Sequence, residues 1–107
     1  MHDTPSQRAR LPNRRHSTNF TFTCNGQRYH ATVSRFADGT ISELFLSNGK
    51  IGSDSDAAAR DSAVVCSIAL QFGTPVDVIR KALLRDSRGI ASSPLGCALD
   101  LLAREGE

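Results

Sequence analysis

Several features that usually carry chemistry are missing from this 107-residue chain. It contains no Trp and one Tyr, and its three cysteines, Cys24, Cys66 and Cys97, form no Cys-x-x-Cys pair. Structural zinc sites usually show closely spaced ligand pairs, so we expect no metal site and no cofactor. An odd number of widely spaced thiols favours reduced cysteines packed in a core over a disulfide framework.

Long apolar runs are also absent. No stretch approaches the roughly 18 consecutive apolar residues that a membrane span requires. The first residues, which include His2, Asp3 and Arg8, lack the apolar segment of a signal peptide. We therefore expect a cytoplasmic protein without a membrane partner.

No catalytic constellation stands out. A nucleophile needs a positioned base, and His30 is the one histidine inside the predicted fold. The segment Gly49-Lys50-Ile51-Gly52-Ser53 lacks the full spacing of a phosphate-binding loop. We expect that the chain is not an enzyme.

The charge is concentrated at one end. The chain has a formal charge of +2, and residues 1–17 contain Arg8, Arg10, Arg14 and Arg15 against Asp3, so the remainder is nearly neutral. A basic, polar segment cannot bury enough apolar surface to order itself. We predict a disordered tail over 1–17 and a single domain over 18–107. Phosphate contacts through residues 8–15 would make the chain a nucleic-acid adaptor, which is one alternative function.

The pattern beyond the tail predicts an α+β fold. Apolar and polar residues alternate from Asn19, and Asn25-Gly26 favours a two-residue hairpin turn. We predict an antiparallel sheet of three strands at about 19–24, 28–36 and 41–46. Helix start signals follow at Ser53 or Ser55, at Thr74 as an N-cap, and at Ser93. With the helical spacing of apolar residues, they predict helices at about 55–72, 75–85 and 94–104.

The first predicted helix carries many small side chains. These allow close approach of a second backbone, and a domain of this size buries only roughly 60 to 65% of its unfolded surface. We therefore expect a homodimer or higher oligomer. The predicted interface residues are Ala58, Ala59, Ser62, Ala63 and Cys66.

Basic residues gather after the second helix start. Guanidinium groups and the free amides at a helix start both bind phosphate, and an aromatic ring can stack on a base. We predict a site for a nucleotide-like anion, although a solvated basic helix face is the simpler alternative. The predicted ligand-binding residues are Arg80, Lys81, Arg85, Arg88, Ser92, Ser93, Tyr29 and Phe72.

Four segments, in order, resemble the TSCPD domain of adenosylcobalamin-dependent ribonucleotide reductases. They are Glu43-Leu44-Phe45-Leu46, Gly49-Lys50-Ile51-Gly52-Ser53, Ser67-Ile68-Ala69-Leu70-Gln71-Phe72-Gly73 and Thr74-Pro75-Val76-Asp77-Val78-Ile79-Arg80-Lys81-Ala82-Leu83. The region corresponding to the family's namesake run is Ser92-Ser93-Pro94-Leu95-Gly96-Cys97, with its Cys after the Pro.

The resemblance implies a freestanding accessory domain, because the catalytic barrel of such reductases is far larger than this chain. We expect a non-catalytic module that oligomerises and binds a nucleotide or another phosphate-bearing small molecule. One alternative is a subunit or regulator of a separately encoded ribonucleotide reductase. Another is a sponge for cyclic signalling nucleotides, since the strand-then-helix plan is similar to that of small phage proteins with this role.

Overall fold

The sheet and the helices follow the predicted order. The structure, a computed structural model, describes residues 7–9, 11 and 17–105. Its strands are β1 Ser17–Cys24, β2 Gln27–Arg35 and β3 Ile41–Ser47, and its helices are α1 Asp54–Gln71, α2 Val76–Ala82 and α3 Pro94–Glu105. The sheet is antiparallel in the order β1-β2-β3. The predicted α+β class is therefore confirmed.

Most of the predicted tail lies outside the described residues. Of residues 1–17, the described part comprises 7–9, 11 and Ser17, which already belongs to β1. The backbone N–H of Ala9 donates to the carbonyl of Gln71 at 2.8 Å, and the Arg8 side chain donates to that of Gln71. Residues 8 and 9 therefore contact the end of α1.

The first hairpin turns where the sequence predicts it. Asn25 and Gly26 both have positive φ, 52° and 77°, and the flanking residues Cys24 and Gln27 pair across the strands. Two consecutive positive φ angles match the twist of the strands that the turn joins. The second connection is closed by Asp38, whose carboxylate accepts hydrogen bonds from the backbone and the hydroxyl of Thr40.

One face of the sheet builds the core. Alternation points every second strand residue toward the helices, and α1 and α3 cover this face with small and branched side chains. The sheet contributes Phe22, Cys24, Tyr29, Ala31, Val33, Ile41, Leu44 and Leu46, and the helices contribute Ala59, Ala63, Cys66, Leu70, Leu95, Ala98, Leu99 and Leu102.

Polar side chains of α1 bind the outer edge of β3. The Ser67 hydroxyl accepts from the Leu44 N–H at 2.9 Å and contacts the Leu44 carbonyl at 3.0 Å, and the Gln71 side-chain amide donates to the Ser42 carbonyl at 3.0 Å. The Asp56 carboxylate accepts from the backbone N–H of Asn48, just beyond the strand, at 2.8 Å. An exposed strand edge invites pairing with another chain, and here the helix closes that edge.

The second helix is shorter than predicted. It ends at Ala82 instead of about 85, and Leu83 is already extended, with ψ at 153°. Arg85 then pairs with Ala91 as an isolated bridge, and the Ser92 N–H donates to the Leu84 carbonyl. The backbone of this segment forms a small closed loop, so Arg85 lies outside the helix that the sequence predicted to include it. Pro75, without a side-chain hydrogen bond, takes the N-cap position predicted for Thr74.

Candidate functional site

The predicted arginines meet at an acidic residue that was not part of the predicted site. Both terminal nitrogens of Arg85 donate to the Asp100 carboxylate at 2.8 Å, and Arg80 donates to it at 3.3 Å. Hydrogen bonds from Arg85, and then from Arg80, hold the pKa of Asp100 below its usual range. The ion pair between Arg85 and Asp100 connects the loop after α2 to α3. The Asp100 carboxylate compensates much of the positive charge of the two arginines, which was expected to bind an anion.

The two serines of the predicted site also have intramolecular partners. The Ser93 hydroxyl accepts from the Gly96 N–H at 3.2 Å, which caps the start of α3. The Ser92 carbonyl accepts from the Asn25 side-chain amide at 3.0 Å. Lys81 and Arg88 are exposed. Of the predicted basic residues, these two are more exposed to solvent than Arg80 and Arg85.

The two predicted aromatic residues differ in their access to solvent. Tyr29 is buried on the core face of the sheet, where its ring stacks on Phe22 with the centroids 5.7 Å apart. Phe72 is half-buried at the C-cap of α1. The ring of Tyr29 therefore packs in the core and does not present a stacking surface to an external base.

Most of the predicted interface residues are used within the chain itself. Ala59, Ala63 and Cys66 are buried in the core, and the Ser62 hydroxyl donates to the Ala59 carbonyl at 2.9 Å. Ala58 is exposed. The small side chains thus serve the packing of α1 on its own sheet, and the homo-oligomer stays a prediction.

A groove that the sequence reasoning missed lies on the other face of the sheet. The alternation that buries Leu44 and Leu46 turns Phe45 outward, where the residue is 49% exposed. Cross-strand pairing sets Thr32 opposite Phe45, and α1, lying along the edge of β3, forms the wall. The groove encloses about 410 Å³ and is lined by His30, Thr32, Phe45, Leu46, Ser47, Arg60 and Val64.

The positively charged side chain of this groove, Arg60, is held in place by the buried carboxylate of Asp56. The Arg60 Nε atom donates to Asp56 at 2.7 Å, while about half of the Arg60 side chain remains exposed. The hydrogen bond from the Asn48 backbone, followed by that from Arg60, keeps the pKa of Asp56 below its usual range. Asp56 compensates part of the positive charge of Arg60, but it binds the Nε atom alone, so the terminal amino groups of Arg60 are left for an anion.

A larger groove lies where α1 meets α2. It encloses about 570 Å³ and includes the acidic residues Asp38 and Asp77 together with Phe36 and Gln71. Carboxylates at the rim repel a phosphate. This groove is consequently a poor candidate for the predicted anionic ligand.

The described residues contain neither a membrane-spanning helix nor a cluster of metal ligands. Within them, no helix has the length and apolarity needed to cross a membrane. In the same part of the chain, His, Cys, Asp and Glu residues do not form a group of three or more suited to a metal ion.

The chain is similar to short segments of two much longer enzymes. It is 32% identical over 71 residues to a vitamin B12-dependent ribonucleotide reductase of Agrobacterium fabrum, across 66% of this chain and 6% of the reductase. It is 33% identical over 73 residues to the enzyme of the same name from Rhodopirellula baltica, across 68% of this chain and 7% of the reductase. No protein-family model matches the chain. No solved structure matches it at a significant level.

Proposed function

We propose that this chain is a non-catalytic module of the TSCPD type that binds a nucleotide-like ligand in the groove between the sheet and α1. The observation that carries the proposal is the half-exposed ring of Phe45, which lies in one groove with Arg60 and His30. The similarity to ribonucleotide reductase segments supports a TSCPD-type module.

The groove offers the two contacts that a nucleotide requires. Stacking of a base on an aromatic side chain contributes about 1–3 kcal/mol, and Phe45 presents such a ring. The terminal amino groups of Arg60 can donate to a phosphate, and the polar residues Thr32 and Ser47 line the same groove. Its volume of about 410 Å³ falls in the usual range of small-molecule sites, roughly 300–1,000 Å³.

The arginines after α2 are the weaker candidate for the same ligand. Arg85 already donates to Asp100 and to the Gly89 carbonyl, and Arg80 donates to Asp100 and Asp77. A phosphate at this position would have to approach two carboxylates or displace them. We therefore place the ligand at the groove on the outer face of the sheet.

Isothermal titration calorimetry with a nucleoside triphosphate and a cyclic dinucleotide tests the proposal. Phe45→Ala and Arg60→Ala should each weaken binding by about tenfold or more, which corresponds to about 1.4 kcal/mol. Val78→Ala, exposed on α2 and outside the groove, and Arg88→Ala are the matched controls and should bind as the parent protein does.

Two results would contradict this assignment. If neither nucleotide binds, the proposed function fails. If Arg88→Ala or Arg85→Ala abolishes binding while Phe45→Ala leaves it unchanged, the site lies at the basic cluster. Preference between the two ligands separates an accessory nucleotide module from a sponge for cyclic signalling nucleotides.

Self-association is a further part of the proposal. Val65 and Ile68 of α1 are exposed, Val65 to 68%, and both lie on the side of the helix away from the core. Apolar side chains at this position favour burial against a second copy. The mass of the protein in solution, measured by sedimentation, checks this directly, and a monomer at all concentrations would remove the oligomer from the proposal.

A subunit of a separately encoded reductase is the second candidate, and the similarity to the two reductases favours it. The expected result is that the tagged chain recovers a vitamin B12-dependent ribonucleotide reductase from its own cells. A failure to bind the purified reductase with and without nucleotide would refute this candidate.

A further inference from the structure

Two cysteines that are far apart in the sequence lie next to each other in the fold. Cys24 ends β1, Cys97 lies in the first turn of α3, and their sulfur atoms are 3.1 Å apart. The hairpin is tied to the loop before α3 by the Asn25 side chain, which donates to the Ser92 carbonyl at 3.0 Å. This contact holds the two thiols together, so a disulfide between them needs only a small further approach.

The two thiols differ in their access to solvent. Cys24 is 4% exposed, and burial, followed by the hydrogen bond with Cys97, raises its pKa to about 12. Cys97 is half-buried and lies close enough to Arg85 for an electrostatic interaction with that guanidinium. Cys97 is therefore the thiol that an external reagent reaches first, and Cys24 is placed to react with Cys97.

We propose that Cys24 and Cys97 are a redox-modification site, at which a small-molecule disulfide of the glutathione class converts them reversibly into an intramolecular disulfide. The Cys97 thiolate attacks one sulfur of the oxidised reagent, which forms a mixed disulfide and releases one thiol. The Cys24 sulfur then attacks the Cys97 sulfur and releases the second thiol. Both protons leave with the two reagent thiols, so two protein thiols are oxidised and one reagent disulfide is reduced.

The bond would join covalently two parts of the fold that otherwise meet through side-chain packing and the hydrogen bond from Asn25 to the Ser92 carbonyl. It would link the β1–β2 hairpin to α3 and close a chain segment of 73 residues. Closing a long segment restricts the unfolded chain. The oxidised protein should therefore melt on the order of 10 °C higher than the reduced one. The remaining cysteine, Cys66, is buried on α1 and should stay a thiol.

Mass spectrometry of the whole chain tests the proposal. The protein is incubated with oxidised glutathione, unfolded, alkylated with iodoacetamide and digested with trypsin. The expected product joins peptide 16–28, which holds Cys24, to peptide 89–104, which holds Cys97, while peptide 61–80 carries an alkylated Cys66. Treatment with dithiothreitol should restore three alkylated cysteines.

Two cysteine variants serve as controls for the disulfide-linked peptide. Cys66→Ala should form the same linked peptide, and Cys97→Ser should form none and should lose the difference in melting temperature between oxidised and reduced samples. The proposal is overturned if all three thiols are alkylated after oxidation, if Cys97 stops at the glutathione adduct, or if the linked peptides come from two different chains.

Discussion

The hydrogen bonds between α1 and β3 allow a quantitative prediction of the stability lost in Ser67→Ala. Its side chain is 4% exposed, and its hydroxyl is the acceptor for the Leu44 N–H at 2.9 Å. Ser67→Ala leaves that N–H buried without an acceptor, which costs about 1–3 kcal/mol. For a domain of this size we expect the melting temperature to fall by about 5 to 20 °C.

Ser42 supplies the matched control for this measurement. Ser42 is fully buried on β3, the strand that Ser67 contacts, but its hydroxyl has no hydrogen-bond partner among the described residues. Ser42→Ala removes an unsatisfied polar atom and should leave the stability unchanged or raise it slightly. Because the chain has no Trp and one Tyr, urea denaturation is best followed by circular dichroism. Equal stability of the two variants would refute the role assigned to Ser67.

The loop after α2 and the first hairpin give two more predictions. Because its partners lower the folded-state pKa of Asp100, Asp100 stabilises the fold above its unfolded pKa of about 3.9, and that contribution is lost as the pH falls through the folded value. Asp100→Asn should therefore lower stability at neutral pH, with a deficit that shrinks in acid, and an equal deficit at both pH values contradicts this. Gly26 has φ at 77° and open space around its Cβ position, so Gly26→Ala should cost about 1–2 kcal/mol from backbone strain alone. An unchanged urea midpoint would show that the turn is not held in this conformation.

The sheet could be predicted because its signals are local. Alternation of apolar residues sets which face of a strand is buried, and Asn25-Gly26 sets the turn. The start of α1 could be predicted to within two residues, and of the candidate caps Ser53 and Ser55 it is the Ser53 hydroxyl that accepts from the Asp56 N–H, at 3.2 Å. The end of α2 was not readable, because residues 83–92 leave the helix for contacts with each other that are not visible in helical spacing.

The candidate site was harder to predict, because its residues meet only in the folded chain. Asp100 lies 15 residues from Arg85 in the sequence, and no helical or strand period links them. The signal for Phe45 was present, since a large aromatic residue stands out of phase between buried Leu44 and Leu46. Because Phe45 shares a groove with Thr32 and Arg60, its exposed side chain is part of the candidate site.

The position of α1 connects the fold to the proposed groove. Ser67 and Gln71 bind the backbone of β3 from outside the sheet, so the helix lies beside the edge strand as well as over the core face. Because α1 lies there, Arg60 and Val64 are next to the outward-facing Phe45 and form one wall of the groove. If these polar side chains of α1 were replaced by apolar ones, core residues such as Ala63 and Leu70 would still hold the helix on the sheet, but the hydrogen bonds that fix it against the edge of β3 would be lost. We therefore regard the same hydrogen bonds that close the edge of the sheet as the structural basis of the candidate site.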